Sequence, residues 1–158
     1  MSNKTPATTR LETPIATKRK ASTLAQLRAL ATKVPESLID TLGTTEAQAR
    51  LLHRLASSHS GWMETVSEQF PSVGVELRRD TPFQGEISWR DGHWHIHVDS
   101  SLPPHVQEFA VIHGLKHIID HPLQLKATTL KNEDWEAMAD HFALACVSGD
   151  AKLKSSTR

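Results

Sequence analysis

Between Val106 and Ile119 the chain reads V-Q-E-F-A-V-I-H-G-L-K-H-I-I, too apolar for a helix lying on a protein surface. A helix of this composition is buried around much of its circumference. It nevertheless carries His113 and His117, four residues apart with only Gly114 as a weak breaker between them. Side chains at that spacing share one helix face and can reach a single metal ion. Nineteen residues after His117 comes Glu136, and Asp140 follows four residues later. Both sit in a second apolar pattern made by Trp135, Met138, Ala139, Phe142, Ala143 and Cys146.

Two carboxylates on the inner side of an apolar helix are costly to bury unless they are paired. Two histidines and a carboxylate from a second helix are a common way to hold a catalytic zinc. His113, His117 and Glu136 are therefore candidate metal ligands. Asp140 is placed to accept the other ring N–H of His113, which would fix its tautomer. The competing reading is that Glu136 and Asp140 pair with Lys116, Lys126 or Lys131 at the surface. Spacing alone leaves both open.

The usual helix motif for such a site is H-E-x-x-H, whose Glu is the general base. Here that position is Gly114. On the same helix, Glu108 and Asp120 lie about 120° around from residue 114, and His121 lies about 10 Å along the axis. None of them can stand in for the missing carboxylate. His95 or His97, from a strand, is the remaining source of a substitute and is expected to face the cleft.

The rest of the chain reads as α+β. Helical spacing begins at Thr23 with Leu24, Leu27 and Leu30. A short helix after Pro35 is expected to stop at Gly43, and Thr45 with Gln48 to form the capping box of the next. Another helix is expected over Trp62 to Gln69. After Pro71 the period becomes two, with strands expected from Val73 to Leu77, from Glu86 to Arg90 and from His93 to Asp99. Thr81 to Gly85 reads as a turn or bulge, and Asp91-Gly92 as a hairpin turn. A small three-stranded antiparallel sheet follows, with His93, His95 and His97 on one face of the last strand. Pro122 is expected to end the histidine-bearing helix. Leu123 to Lys131 reads as a loop, and Asn132 or Asp134 as the cap of a final helix that Gly149 stops.

Of 158 residues, 38% are hydrophobic, enough for one ordinary core. Residues 1–22 are a Thr/Ser/Pro/Lys-rich tail that cannot bury enough surface to order itself. Residues 23–149 read as one domain and 150–158 as a frayed tail. Formal net charge is zero, so no global electrostatic case exists for nucleic acid, and none is expected as a direct partner. No apolar run reaches the length of a membrane span, and the N-terminus lacks the apolar region of a secretory signal. The lone Cys146 excludes an internal disulfide and points to a reducing compartment. The expected location is cytoplasmic.

The two helix motifs resemble those of a known family. F-A-V-I-H-G-L-K-H-I-I-D-H-P is similar to the R-F-x-x-A-H-E-x-x-H helix of the ImmA/IrrE metallopeptidases, and E-A-M-A-D-H-F-A to their E-x-x-A-[ND]-x-F-A helix. The hairpin G-E-I-S-W-R-D-G-H-W-H-I-H-V-D and the helices L-R-A-L and E-A-Q-A-R-L-L also resemble that family, over about residues 24–147. The resemblance implies a zincin-like fold of helices around a small sheet. In it, an active-site helix and a second ligand-bearing helix hold zinc. Carried across, His113, His117 and Glu136 match the ligands and Asp140 the Asp/Asn of the second motif. Members cleave helix-turn-helix repressors that control mobile-element or stress genes. Such a repressor is thus the implied partner.

Two departures stand out: Gly114 in place of the catalytic Glu, and A-L-A-C-V-S-G-D where the family ends its motif in A-x-x-L-L-M-P. The expectation is a zinc-holding, peptidase-like pseudoenzyme that binds or acts on a repressor with impaired catalysis. An active endopeptidase with a substitute base, or a metal-free interaction domain, are the alternatives.

Overall fold

The computed structural model describes residues 21–56, 61–81 and 86–148. Expectations for residues 1–20, for the turn at 82–85, for Gly149 and for the C-terminal tail lie outside them. Among the described residues there are five helices and a three-stranded sheet: α1 (Thr23–Ala29), α2 (Leu38–Leu55), α3 (Trp62–Gln69), β1 (Val73–Arg78), β2 (Glu86–Arg90), β3 (His93–Asp99), α4 (Pro104–Lys126) and α5 (Asn132–Val147).

The first helix starts where the Ser22 hydroxyl accepts from Ala25 N–H. The second starts at Ser37 and runs unbroken through Gly43, where two helices were expected. A glycine inside a helix costs only about 1 kcal/mol relative to Ala. Burial of Thr41, Thr45, Gln48, Ala49 and Leu52 on one face outweighs that. Gln48 is thus a core residue rather than a cap, and its Nε2 donates to the Leu27 carbonyl.

The sheet order is β1-β3-β2, and it is mixed rather than wholly antiparallel. The hairpin turn holds Asp91 and Gly92 at φ 56° and 77°, the left-handed pair that a two-residue turn needs. The three strands alternate in direction along the chain. Because β3 inserts between β1 and β2, its pairing with β1 becomes parallel, Glu76 opposite His97. Period-two alternation says which face a residue occupies but nothing about strand order, so this could not be read from the residues.

Helix α4 packs on the sheet and against α5, and α5 also packs on α2. Val111, Ile112, Leu115 and Ile118 of α4 join Ile96 and Val98 of β3 and Phe142 of α5 in the core, all fully buried. Pro104 opens α4, where its fixed φ suits the first turn. Pro122 does not end the helix, which runs four residues further to Lys126. Proline lacks the N–H that would satisfy the carbonyl four residues back. Arg28 of α1 supplies it, donating from Nη2 to the Ile118 carbonyl at 2.7 Å and from Nε to that of Ile119 at 3.3 Å. The last helix begins with Lys131 at its N-cap rather than Asn132 or Asp134, and Asp134 in the first turn reaches back to accept from Lys131 N–H through Oδ2. Among the described residues no helix is long and apolar enough to cross a membrane.

Candidate metal centre

His113 and His117 lie on successive turns of α4, with ring centroids 4.9 Å apart. Facing them, α5 presents Glu136. Its Oε1 is 3.0 Å from His113 Nε2 and its Oε2 is 3.1 Å from His117 Nε2. The two Nε2 atoms are 3.2 Å from each other. Two imidazole nitrogens and one carboxylate, from two helices, therefore lie together, and the group could hold a metal ion. Bonds of about 2.0–2.1 Å at tetrahedral angles separate donor atoms by about 3.3 Å, close to the spacing found. The structural reading of a surface pairing with lysines fails at Lys116, which points elsewhere.

The donor chemistry also fits. Asp140, one turn after Glu136, places Oδ1 at 2.9 Å from His113 Nδ1. A carboxylate accepts, so Nδ1 carries the proton and Nε2 offers its lone pair to the centre. His113 is buried, at 2% exposure, while the Glu136 and Asp140 side chains are about half exposed. The centre thus has one wall in the core and one open to solvent. Burial holds His117 below its ordinary pKa, against the opposing pull of Glu136. A neutral imidazole is the form that ligates.

The centre borders a cleft of about 380 Å³ lined by Ile87, His117, His121, Gln124, Asn132 and Trp135, among others. His121 packs edge-on against Trp94, ring centroids 5.0 Å apart, and lies in the cleft wall rather than in the donor set. A smaller concavity of about 240 Å³ is lined in part by Lys116, Asp120 and Thr45.

At residue 114 the backbone approaches the sheet. A Cβ there would stand 3.0 Å from Ile96 Cγ2 and 3.3 Å from Ile87 Cγ2. Glycine lets α4 lie this close to β2 and β3, so the absent carboxylate and the tight packing are one feature. Neither acid of α4 replaces it. Glu108 accepts from Trp62 N–H at the start of α3. Asp120 is buried against Lys116 Nζ at 2.7 Å. His95 and His97 do not face the cleft. They alternate with Ile96, which points at α4, and so lie on the opposite face of the sheet. There they meet Glu76. His93 is exposed, with Nδ1 3.1 Å from the Asp91 carbonyl oxygen.

Sequence reasoning missed one polar grouping and the carboxylate partner of another. Lys116 Nζ donates to Asp120 Oδ1 and to Gln48 Oε1, each at 2.7 Å, inside the core. The Lys-x-x-x-Asp spacing on a nearly wholly apolar helix was its signal. Burial lowers the Lys116 pKa and raises that of Asp120, each opposed by the other's charge. The second grouping joins Glu76 to His95 and His97 across two strands, and only strand order could reveal it.

Neither a comparison with protein-family models nor one with curated proteins finds a match to this chain.

Proposed function

We propose that the chain is a zincin-like, ImmA/IrrE-type protein. In this reading zinc is held by His113, His117 and Glu136, and a helix-turn-helix repressor is bound with peptidase activity impaired or lost. The observation that carries the reading is the convergence of two imidazole nitrogens and one carboxylate, with Asp140 fixing the His113 tautomer. When bound, zinc supplies Lewis-acid polarisation of a carbonyl oxygen.

The chain's own residues account for the impairment. General-base catalysis needs a proton acceptor within hydrogen-bond reach of the attacking water. Gly114 has no side chain, and Glu108 and Asp120 are engaged in capping and core pairing. What remains is a recognition surface. Strand β2 is an edge strand whose Glu86 and Ile87 border the cleft, and an edge strand can pair with an extended segment of a partner. The repressor as partner rests on the resemblance of the two helix motifs.

The test is incubation of the purified, zinc-loaded chain with helix-turn-helix repressors encoded beside it, followed by gel filtration and mass spectrometry of the products. A stable complex with the repressor intact is expected. Cleavage that a chelator abolishes would contradict the impairment. Neither complex nor cleavage would contradict the choice of partner.

A further inference from the structure

The sheet face turned away from α4 carries a second convergence of donor atoms. Glu76 of β1 is paired in register with His97 of β3, and His95 lies two residues back on the same face. Glu76 Oε2 is 2.8 Å from His95 Nδ1, and Oε1 is 3.3 Å from His97 Nε2. One donor atom from each residue lies within 4.8 Å of the other two.

His97 has only 7% of its side chain exposed. Neither of its ring nitrogens makes a hydrogen bond among the described residues: Glu76 is near Nε2 without hydrogen-bond geometry, and Glu86 Oε1 lies 3.9 Å from Nδ1, beyond hydrogen-bond reach. A buried imidazole left unpaired is costly, so both nitrogens call for a partner. Ser88, opposite His95 on β2, likewise has a buried hydroxyl with no partner among the described residues.

The tautomer of His95 sharpens the point. Its Nδ1 lies 2.8 Å from a Glu76 carboxylate oxygen and its Nε2 3.2 Å from the Arg90 carbonyl oxygen. Both of those oxygens only accept, whereas a neutral imidazole has a single N–H. One contact is therefore short of a donor, and a metal ion shared by Nδ1 and the carboxylate, with Nε2–H kept on Arg90, would satisfy both. An N–H donated to a backbone carbonyl is also the usual support of a metal-bound histidine. Arg90 and Arg78 stand 3.7 and 4.0 Å from the Glu76 carboxylate, each with more than half its side chain exposed. They contribute little in that screened position.

We propose that Glu76, His95 and His97 form a second metal site, which takes a zinc-class divalent ion and clips β1 to β3. Two imidazoles and one carboxylate suit zinc, cobalt or nickel, whereas calcium and magnesium require mostly oxygen donors. The ligands join an edge strand to the central strand, so binding here stabilises the sheet. The site shares no residue with the His113 centre and stands without it.

Zinc and cobalt(II) titrations of the full chain, with metal counted by native mass spectrometry, test the proposal. The His113→Ala/His117→Ala chain is expected to keep one ion and to gain thermal stability from it. Adding His97→Ala should abolish both effects. Glu76→Gln, at a partly exposed position, guards against misfolding of the histidine variant and should weaken the remaining ion more than tenfold. A His113→Ala/His117→Ala chain that binds no ion, or one whose affinity is unmoved by Glu76→Gln, would overturn the site.

Discussion

Asp140 Oδ1 and His113 Nδ1 are 2.9 Å apart, which leaves Nε2 as the nitrogen of His113 that faces the candidate metal centre. Removing an acceptor behind a ligating histidine typically weakens metal binding 10–100-fold. Asp140→Ala should do so while leaving the helical circular dichroism intact, because the Asp140 side chain is half exposed. Asp140→Asn retains an acceptor oxygen and should lose less. Competition against a chromophoric zinc chelator reads the difference, and equal affinity in all three chains would refute this role.

Restoring the absent carboxylate should not by itself restore a peptidase. At Gly114 a Cβ would press on Ile96 Cγ2 at 3.0 Å, and overpacking of a core costs about 1–3 kcal/mol. The gain in helix propensity over glycine returns at most about 1 kcal/mol. Gly114→Glu alone should therefore lower the urea midpoint. Ile96→Leu removes the offending Cγ2 branch at nearly constant volume and should recover part of the loss. Chelator-sensitive cleavage is expected in the double variant and not in Gly114→Glu alone.

Helix spacing is local, so it puts His113 and His117 on one face of α4 and Glu136 and Asp140 on one face of α5. Whether those two faces meet is a matter of helix packing, which spacing alone left open. What was not legible depended on contacts far apart in sequence. Pro122 reads as a helix stop until Arg28, some ninety residues away, satisfies the freed carbonyl of Ile118. Gly43 and the Thr45/Gln48 pair read as a break and a cap, yet burial of Gln48 under Lys116 makes them helix interior. His95 and His97 were placed on the correct strand face, but which face the cleft occupies depended on how α4 lies over Ile96.

The Lys116–Asp120 pair is buried at both ends. Removing one partner of such a pair typically costs 3–5 kcal/mol because a charge is left alone in the core. Lys116→Met should destabilise by about that amount. Lys116→Met/Asp120→Leu should cost clearly less, since no charge is stranded. Equilibrium urea denaturation of the two variants checks the order, and a double variant less stable than the single would contradict it.

His117 sets a pH dependence of the metal-free chain. Burial lowers its folded pKa below 6.5, with Glu136 pulling the other way. In the window between the two values the unfolded chain binds more protons than the folded one, so stability falls as pH falls. Melting temperature should decline between about pH 7 and about pH 5, the range around an ordinary imidazole pKa. His117→Phe should make the decline shallower, and a slope unchanged by that substitution would refute the assignment.

Arg28 should matter more than its place on a short helix implies. Arg28→Met leaves the Ile118 carbonyl without its donor, a loss of about 1–3 kcal/mol for a buried acceptor. Amide hydrogen exchange should show faster opening of α4 near Pro122, with the turn carrying His113 less affected.

The most direct test of the metal centre is a cobalt(II) titration of the His97→Ala chain, in which His113, His117 and Glu136 are the remaining donor set. One ion per chain is predicted, with visible absorption bands of four-coordinate cobalt that vanish when His113→Ala is added. A His97→Ala chain that binds no ion, or one whose spectrum survives the loss of His113, would contradict the account.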